Sequence, residues 1–343
     1  MARDENLDAM VAAADTAVAD ANRHSVVQPR ADVMPRFDLY HAGLSVCSQK
    51  VRTVLAEQGI PYRSHEMVIL NSRGIYSAEL TPAENYQPSY VKLRQRGNLQ
   101  HARPATGYTG RSAVTTEGFD ACVVPTLVDR ELAQVLVDSL RICEHLDAQA
   151  SGAQRLIPNN AATAALVRQQ LAIVDGTPHP AALYGFHPED DRRPDFIKHV
   201  MGDVYDLKIA ALHQLINDNR HDSELVAAYT HKISKELGGK AVAHDATMQR
   251  TIRTELQNLV EALSAHLTAH AEPWVCGSAF TLADVFWGVS LYRLQWLGLA
   301  PLWSRFPRVE AYSRLLYQRP SLRAAVIEWP SPMPASPHTA EVV

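Results

Sequence analysis

From Arg36 to His41 the chain sets Phe37, Leu39 and His41 against Asp38 and Tyr40, an alternation that predicts a short strand running into a loop at His41–Leu44. The period then changes. Cys47, Val51, Val54, Leu55 and Gln58 share one helical face, with Ser45 as N-cap and Gly59 and Pro61 as the stop, so a helix follows the loop directly. Tyr62 to Leu70 reads as a second strand, and the order strand, helix, strand implies a parallel pair with a right-handed crossover. Pro125–Asp129 and Val135–Val137 form a predicted hairpin around Arg130–Gln134. A helix then opens at Asp138–Ser139 with Leu140, Cys143 and Leu146 facing inward. The result is a four-stranded βαβ…ββα unit. After Leu156-Ile-Pro158 the pattern is helical, with helices expected near 160–175, 194–217, 222–237, 246–270, 282–297 and 308–327. Thr281-Leu-Ala-Asp284 reads as a capping box that starts one of them.

The pattern lapses in three places. Residues 1–35 suggest a short helix or disordered arm followed by a linker around Pro29 and Pro35, with no active-site role. Asn71 to Ala121, about 50 residues, is punctuated by Pro and Gly, and so long a connection is expected to serve as a cover near a site. Its Tyr76, Tyr86, Tyr90 and Tyr108 are candidates to pack over an aromatic ligand, against the alternative of solvent-facing or core-anchoring tyrosines. The tail from Pro330 is rich in Pro and Ser and is expected to fray. The organisation predicted is an extension over 1–35, an α/β domain over 36–150 with an insertion at 71–121, an all-helical domain over 156–330 and a flexible tail over 331–343.

Composition narrows the function. With 343 residues, 46% of them hydrophobic, the chain exceeds the usual size of one core, which agrees with two domains. A net charge of −4 with no long block of one sign advertises neither a nucleic-acid groove nor a polybasic membrane surface, so a small-molecule partner is expected. No apolar run reaches the roughly 20 residues of a membrane span, and Asp4, Glu5 and Asp8 stand where a secretory signal would be basic, so a soluble, cytoplasmic protein is expected. Cys47, Cys122, Cys143 and Cys276 are too few and scattered for a disulfide framework, and no His or Cys spacing fits a metal site.

Cys47 is the most informative residue. A thiol on the first turn of a helix lies where backbone N–H groups and the helix dipole favour a thiolate, with Lys50 and Arg52 nearby; the alternative is a small hydrophobe that begins the inner stripe. Lys50 occupies the place of a second cysteine, so Cys-x-x-Cys chemistry is excluded there and a one-cysteine mechanism needs an external thiol. Cys122, Cys143 and Cys276 read as packing residues.

The stretch LYHAGLSVCSQKVRTVLAEQGIPY, with VVPTLVD and VLVDSLRICEHLD, resembles the thioredoxin-like domain of the cytosolic glutathione transferases. SVCSQKVR resembles the Ser-x-Cys-Ser-x-(Arg/Lys)-Val-Arg signature of their zeta class. Together with DGTPHPAALYGFHPEDDRRP and FTLADVFWGVSLYRLQWLG, it resembles the glutathione-dependent reductive dehalogenases of chlorinated hydroquinones, a zeta-like subgroup, over roughly residues 36 to 330. The fold implied is a thioredoxin-like α/β domain followed by an all-α domain. The activity implied is reductive dehalogenation of halogenated hydroquinones with glutathione as co-substrate and no metal.

Carried over by position, Ser45 matches the serine that hydrogen-bonds the glutathione sulfur and Cys47 the reactive cysteine. Val124-Pro125 matches the cis-proline segment that pairs with the glutathione backbone, and Asp138-Ser139 the pair that holds its γ-glutamyl group. Ser139 at a helix start is also an ordinary N-cap. His41 is a candidate proton donor or phenolate stabiliser, against a structural hydrogen bond, and His179, Tyr184, His187 and Arg192, beside Arg193, are candidates to line the ring pocket. Where zeta isomerases carry Ser-Ser-Cys this chain has Ser45-Val46-Cys47, which weakens the alternative of a maleylacetoacetate-type isomerase. A non-catalytic glutathione-fold binding protein is the rival of another class, and a two-fold dimer is what the family resemblance implies.

Overall fold

The computed structural model describes residues 4–27, 35–75, 77–97, 104, 108–150, 154–270, 272–331 and 334–342. The linker expected around Pro29 lies mostly outside them, as does Tyr76.

The α/β part holds one five-stranded sheet in the order β1 (His24–Val27), β3 (Tyr62–Glu66), β2 (Phe37–His41), β4 (Thr126–Asp129), β5 (Gln134–Val137). Strands β2 and β3 are parallel, with Phe37 opposite Tyr62, and every other pair is antiparallel. Helix α2 (Val46–Glu57) makes the crossover between β2 and β3. Helix α5 (Ser139–Gln149) follows the hairpin and packs beside α2, burying Ile142, Cys143 and Leu146.

Strand β1 corrects the reading of four strands, because it comes from the extension. The free edge of β3 would otherwise present unpaired backbone groups. Helix α1 (Glu5–Asp15) buries Leu7, Val11 and Ala14 in a cluster that contains Tyr40, Tyr90 and Leu93, and β1 pairs His24 with His65. At this join the Nδ1 atoms of His24 and His65 lie 2.8 Å apart, His65 Nε2 is 3.1 Å from Asp38 Oδ1, and the Tyr40 hydroxyl donates to Asp15 at 2.5 Å. Asp15, His24 and His65 thereby bring potential metal-ligand atoms within 4.8 Å of one another, a grouping that chain spacing does not reveal.

Glu84, in the insertion, ties the extension down. It is buried and accepts from Arg23 through two guanidinium nitrogens at 2.5 and 2.6 Å, and from the backbone N–H groups of Ala19 and Val68 at 2.9 and 2.8 Å. Arg23→Ala is expected to lower unfolding stability by about 2 kcal/mol, because two backbone donors remain to Glu84 and Arg23 is partly solvated. Urea unfolding read alongside proteolysis of residues 4–27 checks this; unchanged resistance of the extension would contradict it.

The insertion is more ordered than a loop: α3 (Pro88–Arg96) packs on α1, and α4 (Val114–Glu117) is a single turn. The helical part comprises α6 (Ala161–Asp175), α7 (His179–Tyr184), α8 (Asp195–Met201), α9 (Val204–Asp218), α10 (Ser223–His244), α11 (Ala246–Ala269), α12 (Leu282–Trp296) and α13 (Pro307–Tyr317), followed by short turns over 320–327. The helix expected over 194–217 is two, broken at Gly202–Asp203. Helix α12 is buried around its whole circumference except at Gln295, as befits the central helix of a bundle. Asp284 caps it, accepting from Thr281 N and Oγ1 at 2.8 and 2.7 Å in the expected capping box. The tail expected to fray packs instead: Ser336 Oγ donates to Trp296 O at 2.7 Å, and Ser336 and Thr339 are buried. Its serine and threonine bond to backbone carbonyls at the end of α12 and within the tail's own turn, which fixes a segment that has little apolar surface.

Candidate active site

The first turn of α2 is set by local bonds. Ser45 Oγ accepts from Ser48 N at 3.3 Å as the N-cap, and Ser48 Oγ accepts from Ala42 N at 3.2 Å. Gly43 N donates to Glu66 Oε1 at 3.2 Å, and a Cβ at position 43 would lie 2.6 Å from that oxygen, so a larger residue there would displace the Glu66 carboxylate. Arg52, one to two turns along α2, donates to Ala42 O, Gly43 O and Ala325 O and holds the loop against the C-terminal turns. This frame places Cys47 on the first turn, partly exposed, with Sγ donating to Ser112 Oγ of the insertion at 3.4 Å.

Ser45 and Cys47 lie on the shared wall of two compartments. The first is the more polar of the two, lined by several charged side chains, and has a volume of about 180 Å³. Val124 and Pro125, joined by a cis peptide bond, line it together with Asp138 and Ser139 at the start of α5. Asp138 is a non-glycine residue at φ 74°, a strained conformation that costs about 1–3 kcal/mol and is tolerated where surrounding bonds enforce it. Those bonds are present: Oδ1 accepts from Leu140 N and Arg141 N, and Oδ2 from Val114 N of the insertion at 3.2 Å. Tyr86 and Tyr108 also face this compartment, whereas the Tyr90 hydroxyl donates to Val123 O at 2.6 Å inside the core.

The far wall of the polar compartment carries charges that periodicity did not single out. Lys232 Nζ lies 2.9 Å from Asp120 Oδ2 and 3.0 Å from Glu236 Oε1, and Lys208 Nζ lies 3.4 Å from Glu236 and 3.1 Å from the Tyr184 hydroxyl. Burial acts against the charge on Lys232, yet the two carboxylates hold its protonation well above the ordinary lysine range. Burial likewise opposes ionisation of Asp120, but Lys232 and Lys235 keep its carboxyl far below the usual range. The only available sequence signal was Lys232, Lys235 and Glu236 at helical spacing on one face of α10.

The second compartment is apolar, with a volume of about 160 Å³ and Leu44, Leu70, Leu183, Ile197, Met201 and Trp296 as its walls. His179 and Arg293 also line it, and Tyr184 faces both compartments. His179 Nε2 pairs with Ser290 Oγ at 2.9 Å, and burial together with Lys50 and Arg293 holds the ring neutral.

Three expected site residues lie elsewhere. His41 is fully buried at the end of β2, paired with Ser64 Oγ at 2.7 Å and Arg52 Nη1 at 3.1 Å, and lines neither compartment. Burial and then Arg52 push its protonation well below the usual histidine range, so it has a structural role and no route to the site. His187 and Arg192 line a separate groove with Gln249 and Arg253. Helix α7 ends at Tyr184 with Gly185 as its C-cap, and Arg192 beyond it pairs with Asp190 at 2.7 Å. Cys122, Cys143 and Cys276 are buried as expected, and burial pushes the Cys276 thiol up to about 12.

Comparison with known proteins agrees with this architecture. The family description "Glutathione S-transferase, N-terminal domain" matches residues 44–149, and "Glutathione S-transferase, C-terminal domain" matches 225–315. A 2,5-dichlorohydroquinone reductive dechlorinase of Sphingobium indicum is 42% identical over 321 residues, covering 92% of this chain and 89% of that protein. A tetrachloro-p-hydroquinone reductive dehalogenase of Sphingobium chlorophenolicum is 25% identical over 297 residues, covering 85% of this chain and 96% of its own. Among solved structures, glutathione S-transferase III in apo form superposes with a TM-score of 0.51 at 21% identity, over 88% of this chain and 100% of its own, and so shares the fold. Among the described residues no helix is long and apolar enough to cross a membrane. With both domain signatures in order and a site built at the start of α2, the chain belongs to the glutathione S-transferase family.

Proposed function

We propose that this protein is an enzyme that removes halogen reductively from halogenated hydroquinones, using two molecules of glutathione. The observation that carries this reading is the placement of Ser45 and Cys47 where a polar compartment suited to a peptide meets an apolar one suited to a ring. The 42% identical relative named as a 2,5-dichlorohydroquinone reductive dechlorinase supports the substrate class.

Glutathione supplies one thiol that displaces halide from the ring and a second that regenerates the protein. Ser45 Oγ holds the reacting sulfur, the Val124 backbone pairs with the tripeptide, and Asp138 with Ser139 receives its γ-glutamyl end. His179 and Tyr184 border the ring. Cys47 then attacks the sulfur of the glutathionyl ring: the Sγ–S bond forms, the ring C–S bond breaks, and its electron pair goes to the ring carbon, which takes up a proton. The ring is reduced and Cys47 is oxidised to a mixed disulfide. A second glutathione thiol exchanges with that disulfide, restores Cys47 and leaves as oxidised glutathione.

The same reading places the glutathione-binding part over 36–150, the ring-binding part over 156–330, the protein in the cytoplasm and the active form as a two-fold dimer. Incubation with reduced glutathione and a dichlorohydroquinone tests it. The expected result is equimolar chloride, oxidised glutathione and a ring with one chlorine fewer. Turnover of a maleylacetoacetate-like diacid with glutathione unconsumed, and no chloride from the hydroquinone, would replace this reading with isomerase activity.

A further inference from the structure

Arg293 sits on α12, a helix whose buried positions are mostly apolar, and is only 4% exposed. Its described partners are the carbonyl of Leu44, to which Nη2 donates, and the face of Trp296, whose centroid is 5.4 Å from the guanidinium carbon. Among the described residues no carboxylate pairs with it. Other buried cations nearby are matched: Lys50 meets Asp175 at 2.6 Å, Lys232 meets Asp120 at 2.9 Å, and Arg193 meets Asp191 at 2.6 Å. Arg52, which has no carboxylate partner among the described residues, donates to the carbonyls of Ala42, Gly43 and Ala325. Burial pulls Arg293 down to about 10, so it remains a cation at neutral pH. An unpaired buried charge is costly unless something of opposite sign shares its site.

That site is the apolar compartment beside Cys47, which Arg293 lines. His179 lines the same compartment: it is 5% exposed, its Nε2 is taken by Ser290, and its buried Nδ1 has no hydrogen-bond partner among the described residues. Ser290 and Arg293 lie three residues apart on the same face of α12, so one helix positions both the histidine and the guanidinium.

We propose that Arg293 is the specificity-determining anion site for the ring: its guanidinium receives a ring oxygen as phenolate, with His179 Nδ1 as the second polar contact. This rests on the dehalogenase reading for its substrate class. A hydroquinone that exchanges a ring substituent must carry transient negative charge on oxygen, and a preorganised cation in an apolar cavity stabilises that charge far better than water does. It also separates a hydroxylated ring from an unhydroxylated halogenated one, because only the former neutralises the buried guanidinium.

Binding without turnover tests this. The affinities of wild type, Arg293→Met and Arg293→Lys are measured by tryptophan fluorescence for 2,6-dichlorophenolate, at mildly alkaline pH, and for its uncharged methyl ether. Wild type is expected to prefer the phenolate by about tenfold to a hundredfold, the range of a charge-assisted hydrogen bond. Arg293→Met should lose that preference while still binding the ether, and Arg293→Lys should retain only part of it because a lysine lacks the planar fork. An undiminished preference in Arg293→Met overturns the proposal, as does the absence of any preference in wild type. If Arg293→Met does not fold, the lysine variant decides by the same ratio. Because no turnover enters, a protein that fails to dehalogenate yet discriminates through Arg293 would refute the dehalogenase reading and leave the anion site standing.

Discussion

Cys47→Ser is expected to keep releasing halide at a rate within about threefold of wild type while losing reduced product by about a thousandfold or more. The two halves of the proposed reaction use different thiols. Halide displacement needs the glutathione sulfur held at Ser45, whose hydroxyl the substitution leaves in place, along with its N-cap bond to Ser48. Release of the reduced ring needs a sulfur nucleophile at position 47, and a serine hydroxyl neither attacks a sulfur centre readily nor forms a disulfide. No other cysteine substitutes, because Cys122, Cys143 and Cys276 are all buried. Rapid-quench mass spectrometry should show the glutathionyl ring accumulating in the variant. In wild type, intact-protein mass should show one glutathionyl group on Cys47 when the second glutathione is withheld. Reduced ring appearing from Cys47→Ser at the wild-type rate would remove Cys47 from the mechanism.

The largest effect on stability is expected at Asp284, where the alanine variant should lose about 3–5 kcal/mol. Its side chain is fully buried and four donors converge on it: Thr281 N and Oγ1 on one oxygen, Val275 N at 2.9 Å and the Tyr312 hydroxyl at 2.7 Å on the other. Removal uncaps α12 and leaves Val275 N and the Tyr312 hydroxyl in the core without the acceptor they now share, at about 1–3 kcal/mol for each unsatisfied group. Asp284→Asn keeps an acceptor and should lose less. Burial raises the Asp284 pKa above its ordinary value despite these donors. A raised folded-state pKa means that the folded protein binds the proton more tightly. The associated stability is therefore full below the unfolded value of about 3.9 and declines as pH rises through the folded value. The advantage of wild type over Asp284→Asn should accordingly be larger near the acid end of that window than at neutral pH. Urea unfolding of the three proteins across pH measures both effects, and equal midpoints for wild type and alanine would contradict the network.

The legible parts of this protein are those in which near neighbours in sequence fix one another. The strand at Phe37–His41, the Ser45 cap, Cys47 on the first turn, the hairpin and the Thr281–Asp284 box all express two-residue or helical periods, bonds within one helical turn, or a tight turn that pairs adjacent strands. The resemblance to glutathione transferases rests on these same local segments, which is why it located Ser45, Cys47, Val124, Pro125, Asp138 and Ser139 on one cleft.

Distant contacts decided the rest. The alternation at β2 gave a strand but not its burial: all five positions are buried, with Asp38 matched by Arg130 at 2.6 Å and His41 by Ser64. A histidine beside a loop looks reactive in sequence, yet Ser64, Arg52 and Trp329, brought from distant parts of the chain, enclose the ground around it. Tyr184 and His187 are near in sequence but separate where α7 stops at Gly185. Arg293 meets Leu44 across 249 residues, and Ser112 meets Cys47 across 65. Periodicity records which way a side chain points from its own backbone. Whether a polar side chain ends up paired, solvated or waiting in a cavity depends on desolvation and on partners brought from elsewhere, so the sequence determined the fold class and the thiol, and the tertiary structure alone decided which charges face it.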